Sequence, residues 1–156
     1  MAARSVQQWF DEYGESHRNE TNITVHWIAV PLIFLSVVGL LSCIPSIPIP
    51  YLGRLAIVEV AMAAIFIFYI RLSPILAFGM LILASACWAI AHWLDLHAPW
   101  PLWAICVTVF ILAWVAQFIG HNVEGKRPSF LKDLQFLLIG PAWLLAKLLK
   151  KIGIRY

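Results

Sequence analysis

Charge is scarce in this sequence: Asp, Glu, Lys and Arg together supply 12% of the 156 residues, about half the share usual in soluble domains. Hydrophobic residues supply 62%. A chain of this length could not hide so much apolar surface in a core of its own. That excludes an ordinary water-soluble domain and makes the lipid bilayer the expected solvent. Cysteine is also sparse. Cys43, Cys87 and Cys106 form no CxxC pair and lie in or beside apolar runs, so core-filling thiols are expected rather than a disulfide framework or a zinc site. The N-terminal stretch MAARSVQQWFDEYGESHRNETN lacks the basic start and apolar core of a cleaved signal peptide, and insertion by the chain's own helices is expected. Internal repeats and low-complexity segments are absent as well.

What is present is a set of apolar runs of bilayer length, which need roughly 20 helical residues each. Four are expected within a single membrane domain over residues 1–156: 26–44, ended by the proline-rich IPSIPIP; 55–72, with Glu59 its only acidic residue; 75–94, opened by Ser73-Pro74 and closed by Ala98-Pro99-Trp100-Pro101; and 102–120. Two flanking pieces differ in kind. Residues 4–16 space Val6, Trp9, Phe10 and Tyr13 as an amphipathic helix along the membrane surface. Residues 129–151 mix an apolar run with Lys132, Lys147, Lys150 and Lys151, and Gly140-Pro141 interrupts the run, so a broken interfacial helix is expected. The fold class is therefore an all-α integral membrane protein with four transmembrane helices, an N-terminal amphipathic helix and a C-terminal interfacial helix.

Four crossings put ten of the eleven Lys and Arg residues on one side and only Arg54 on the other. Because basic residues gather on the cytoplasmic side, both termini are expected there, in a bacterial inner membrane or the endoplasmic reticulum. The Asn-x-Ser/Thr matches at Asn19 and Asn22 then lie in the cytoplasm and are not expected to carry glycans.

This topology sorts the five histidines. His17, His26 and His121 fall at the cytoplasmic boundary; His92 and His97 fall at the other, with Trp93, Trp100 and Trp103 as an aromatic belt. Metal ligands must meet within about 2 Å of one point, so only the first three can converge. In an unbroken helix His17 and His26, nine residues apart, would be separated by about 900° and face opposite ways. A turn is therefore expected between them, where Asn19, Thr21 and Asn22 are capping residues. Asn22 and His26 share a helix face, as do Gln117, His121 and Glu124. Ionisable groups at this depth usually face a bundle interior or a watered cavity. The plainer alternative is that each histidine is an interfacial side chain, that Glu124 pairs with Lys126 or Arg127, and that Glu59 is a buried structural carboxyl.

The stretch YGESHRNETNITVHWIAVP, from Tyr13 to Pro31, resembles the opening signature of the Mpo1-like family: a tyrosine, a histidine, an asparagine, and a histidine followed shortly by proline. WVAQFIGHNVEGKRPSFLKD resembles its closing signature, in which Gln-Phe-Ile-Gly-His precedes a glutamate and a basic-Pro pair. Here the glutamate comes one residue earlier than in that pattern. The resemblance covers nearly the whole chain and implies an iron(II)-dependent dioxygenase of fatty acid α-oxidation, which cleaves a long-chain 2-hydroxy fatty acid to the acid one carbon shorter. Fe(2+) is the implied cofactor; the 2-hydroxy fatty acid, molecular oxygen and the bilayer are the implied partners, with no nucleic acid.

Imidazole suits iron, and a mononuclear oxygenase site needs about three protein ligands with positions left open. His17, His26 and His121 are the ligands this reading implies, and with Glu124 the catalytic set. Glu124, Asn22 and Gln117 are candidates for a fourth ligand or for groups that hold the rings, and Arg18 or Arg127 could offset the substrate carboxylate. Di-iron desaturases have similar hydropathy but carry about eight histidines in HxxxH and HxxHH boxes, which are missing here. The alternative from another class is a non-catalytic four-helix membrane protein that binds or scaffolds lipid. A small transporter is disfavoured by a lone intramembrane glutamate and the lack of a broken-helix repeat.

Overall fold

The structure, a computed structural model, describes residues 4–51, 53–125 and 136–156. It is built almost wholly of helix. The first, α1 (Val6–Gly14), starts at Ser5, whose hydroxyl accepts the N–H of Gln8 while the Gln8 side chain accepts the N–H of Ser5, a reciprocal cap that satisfies two orphan donors. Its Phe10 and Tyr13 point inward. After a short turn, Asn19 caps α2 (Glu20–Ser42) by accepting the N–H groups of Thr21 and Asn22.

The proline-rich segment after α2 does more than stop a helix. Strands β1 (Ile47–Ile49) and β2 (Gly53–Leu55) pair antiparallel in a small hairpin. This hairpin of two three-residue strands interrupts a fold that is otherwise all-helical, as expected. An isolated two-stranded pair leaves outward positions that need no N–H, which is where proline is tolerated.

Helix α3 (Ile57–Ile70) follows, then α4 (Pro74–His97), capped by Ser73 with proline at its start, and α5 (Leu102–Glu124), closed by Gly125 at φ 71. Left-handed backbone of that kind favours glycine. The last described helix is α6 (Ile139–Lys151). Gly140 and Pro141 lie in its first turn, after a non-helical turn at 136–138, while residues 129–135 of the expected interfacial segment lie outside the described residues. Proline is well placed in a first helical turn, where its missing N–H has no helical partner.

Among the described residues three helices, α2, α4 and α5, are long and apolar enough to cross a membrane. At 14 residues, α3 reaches only about 21 Å, short of a bilayer core of about 30 Å; Leu55 belongs to the hairpin and Arg71 and Leu72 to the turn that follows. Glu59, expected within this span, lies exposed in the first turn of α3, where its carboxylate accepts the N–H of Ala56 at 3.0 Å. It is a cap and not a buried carboxyl. The outward faces of the long helices are strongly apolar: Ile28 is 64% exposed, Ile82 71% and Leu112 64%. Such a surface is stable against lipid and not against water.

Helices α2 and α5 pack along their length, and glycines permit the approach. Gly39 lies against Cys106 near one end and Gly120 against Asn22 near the other. Helix α3 packs on α4, and Tyr69 at its end donates its hydroxyl to the Leu138 carbonyl just before α6. Gly140 of α6 in turn abuts Tyr13 and Val30. Helices α1 and α6 thus close one end of the bundle, the end at which α2 begins and α5 finishes. His92, His97, Trp93, Trp100 and Trp103 are all exposed at the other.

Candidate metal centre

Three histidines meet at the closed end. The chain leaves α1 through a turn in which His17 donates its backbone N–H to Gly14, and its ring stacks on Tyr13 with centroids 4.1 Å apart and planes at 16°. The turn removes the opposition of faces that a continuous helix would impose between His17 and His26. Ring centroids are then 4.3 Å apart for His17 and His26, 5.2 Å for His17 and His121, and 5.0 Å for His26 and His121. One nitrogen from each ring lies within 4.8 Å of the others. All three side chains are buried, at 5%, 1% and 3% exposure.

The ring nitrogens have defined roles. Nδ1 of His17 lies 2.6 Å from the Tyr13 carbonyl and Nδ1 of His26 lies 2.8 Å from the Asn22 carbonyl. A carbonyl only accepts, so each Nδ1 carries the proton and each Nε2 keeps a lone pair. Among the described residues, Nε2 of His17 and Nε2 of His121 are buried without a hydrogen-bond partner. Burial, followed by the repulsion of His26, pushes the pKa of His17 down to about 3, against the opposing pull of the Tyr13 carbonyl. The ring is therefore neutral at pH 7, the form in which imidazole ligates a metal.

Around the rings stands a polar frame drawn from distant parts of the sequence. Glu124, at the end of α5, is outside the trio: one carboxylate oxygen accepts the N–H of Arg18 at 2.9 Å, and the other accepts the N–H of Asn19 at 3.0 Å and the Asn22 side-chain amide at 3.0 Å. Asn22, 0% exposed, also donates to the Ser16 carbonyl at 3.1 Å. Glu124 and Asn22 thus fix the turn that carries His17 and the helical turn whose carbonyl orients His26. Arg18 contributes its backbone N–H to this frame while its side chain is exposed. Gln117 is buried and lines a cavity with His26. Arg127 lies outside the described residues.

Trp143, which the sequence did not single out, tilts against His17 at 5.7 Å and against Tyr13 at 5.3 Å. Its only sequence signal is an aromatic residue just after Gly140-Pro141. With Tyr13 it forms the wall that screens the trio from water.

Comparison with known proteins assigns the sequence that builds this site to a family. The family model described as 2-hydroxy-palmitic acid dioxygenase Mpo1-like matches residues 3–152. This chain belongs to the Mpo1-like family. It is 31% identical over 140 residues to the 2-hydroxy-palmitic acid dioxygenase MPO1 of Saccharomyces cerevisiae, a match covering 88% of this chain and 75% of the yeast protein. No solved structure matches it. As an Mpo1-like protein it therefore joins a histidine trio to a helical framework apolar enough for a membrane.

Proposed function

We propose that this chain is a membrane-embedded, iron(II)-dependent dioxygenase that cleaves a long-chain 2-hydroxy fatty acid between C1 and C2. The observation that carries the reading is the pair of buried, unpartnered Nε2 atoms on His17 and His121 beside His26, in a chain whose yeast relative is named for 2-hydroxy-palmitic acid. A buried acceptor left unpaired costs about 1–3 kcal/mol. A cation shared by three lone pairs removes that cost. Two ligands about 2.1 Å from one ion are at most about 4.2 Å apart, so loading draws the rings slightly together. Neutral imidazoles suit iron, and three of them leave positions open. Once bound, iron supplies a redox centre able to take both O₂ and the 2-hydroxy carboxylate.

The protein's own groups have separate tasks in this reading. The Tyr13 and Asn22 carbonyls hold the His17 and His26 rings with Nε2 forward, and Glu124 acts as a positioning residue for both. Arg18, exposed at the rim, and Arg127 are the cations available to the substrate carboxylate. The cleavage balances without an external reductant: 2-hydroxypalmitate as the free acid plus O₂ gives pentadecanoic acid, CO₂ and water. All four electrons taken up by O₂ come from the C1–C2 unit, and no reductase partner is required.

Detergent-purified protein supplied with Fe(II), O₂ and 2-hydroxypalmitate should yield pentadecanoic acid in step with the oxygen consumed, with no nicotinamide cofactor added. Iron-loaded protein that forms no shortened acid would favour the lipid-scaffold alternative.

The same reading takes α3, extended by its flanking residues, as a short fourth crossing antiparallel to α4, with the whole chain one membrane domain. Arg4, Arg18, Arg71, Lys147, Lys150, Lys151 and Arg155 then share the side of the trio, while Arg54 in the hairpin is opposite. Both termini are cytoplasmic on this arrangement. Single cysteines introduced beside His17 and His97, in a chain whose own three cysteines are replaced by alanine, should react with impermeant reagents from opposite sides. Reaction of both from one side would overturn the topology.

A further inference from the structure

Directly beneath the trio, on the side facing the bilayer, is a cavity of about 20 Å³, little more than the space that one small molecule requires. Its position follows from helical spacing. Val30 and Ile33 lie four and seven residues after His26 on α2, and Gln117 and Trp114 lie four and seven residues before His121 on α5. Both sets therefore share a face with the histidine they flank. Phe136, Leu137, Gly140 and Pro141 line it as well, and Tyr13 and His26 form its wall towards the trio. Among the described residues no Lys or Arg lines the cavity, so beyond the reach of a bound metal a fatty-acid carboxylate would be buried there without a counter-charge. The volume also excludes an acyl chain. The lining is mainly aliphatic and aromatic, with polar groups from Tyr13, His26 and Trp114 and one side-chain amide, that of Gln117, which is 6% exposed.

We propose that this cavity is a binding site for a diatomic gas, molecular oxygen in the reaction above, with the amide of Gln117 as its hydrogen-bond donor and positioning residue. The inference rests on the proposed dioxygenase reading and adds to it a division of approach. The charged head of the acid comes to the trio from the aqueous rim. Oxygen, which dissolves more readily in hydrocarbon than in water, comes from the membrane through an apolar antechamber. Molecular oxygen needs no hydrogen bonds to enter such a space, whereas a buried water there needs about two to four polar partners.

Xenon is the probe. A crystal of the iron-loaded protein pressurised with xenon should show anomalous scattering between Val30, Ile33 and Trp114, and in Ile33→Phe, which fills the space, that site should be lost. In steady state, Ile33→Phe and Gln117→Leu should each raise KM for O₂ by about tenfold while KM for 2-hydroxypalmitate stays within about twofold. Absence of xenon, an ordered water in its place, or an equal rise in both KM values would overturn the proposal. Should Ile33→Phe fail to fold, the wild-type xenon site and Gln117→Leu still decide it. Should wild-type protein make no shortened acid, the dioxygenase reading fails, and the xenon experiment then judges the cavity as a gas site separately.

Discussion

Alanine at His26 or at His121 is expected to strip the protein of iron and of activity while leaving its helices intact. Each substitution removes one of three ligands that no nearby group can replace: among the described residues the trio contains no fourth donor, and the Glu124 carboxylate is already occupied by three N–H groups. The loss should exceed the roughly 10–100-fold fall in metal affinity that follows removal of an outer-shell partner. Iron measured in detergent-purified protein should drop from about one ion per chain, as a mononuclear site requires, to background. Far-ultraviolet circular dichroism should be unchanged, since neither side chain bonds to another helix in a way the fold needs. Wild-type protein without iron, or two variants that retain it in full, would defeat the metal-centre reading.

Gly120→Ala should be nearly as damaging, although it adds one methyl group and touches no histidine. A Cβ at this position would stand 2.6 Å from Oδ1 of Asn22 and 3.4 Å from Val25. An oxygen at the end of a mobile side chain could move aside. This one cannot, because the other end of the same amide is held by Ser16 and Glu124. Either α2 and α5 part or Asn22 is driven from its place, and the carbonyl that orients His26 goes with it. Overpacking of this kind costs about 1–3 kcal/mol, and displacement of the frame should weaken metal binding by about 10–100-fold. Glu124→Gln should reach a similar weakening from the opposite side, since its amide would direct a donor at donors. Chelator competition measures both effects, and thermal unfolding of the iron-free forms separates strain from ligation. Wild-type iron affinity in Gly120→Ala would show that Asn22 does not govern His26.

Local patterns in the sequence carry part of this arrangement. Bilayer-length apolar runs locate α2, α4 and α5, because lipid exposure leaves a compositional mark that packing does not erase. Those runs misjudge the ends. Helix α2 starts at Glu20, six residues before its apolar stretch, since a cap such as Asn19 needs only a side-chain oxygen and not hydrophobicity. Leu55 looks like the start of a crossing but belongs to a strand, because hydropathy cannot tell a membrane helix from a hairpin that borders it. The meeting of His17, His26 and His121 at one end was legible once crossings were counted. Whether Glu124 is a fourth ligand or a group that holds the rings was not. Its i+7 spacing from Gln117 brings it to the right face, but its partners Arg18 and Asn19 are 106 and 105 residues away, and no periodicity reports a contact of that range.

The distance in sequence between those partners has a consequence for how the protein is made. His17 and His26 emerge early from the ribosome, whereas His121 and Glu124 arrive only when α5 is complete. Until then the early pair has neither its third imidazole nor the carboxylate that holds its turn in place, and two imidazoles alone bind a metal weakly. On the proposed reading, iron capture is thus an assembly event, dependent on α5 reaching its place beside α2. A chain truncated before Gln117 should insert its earlier helices and remain metal-free, since it lacks His121 and Glu124.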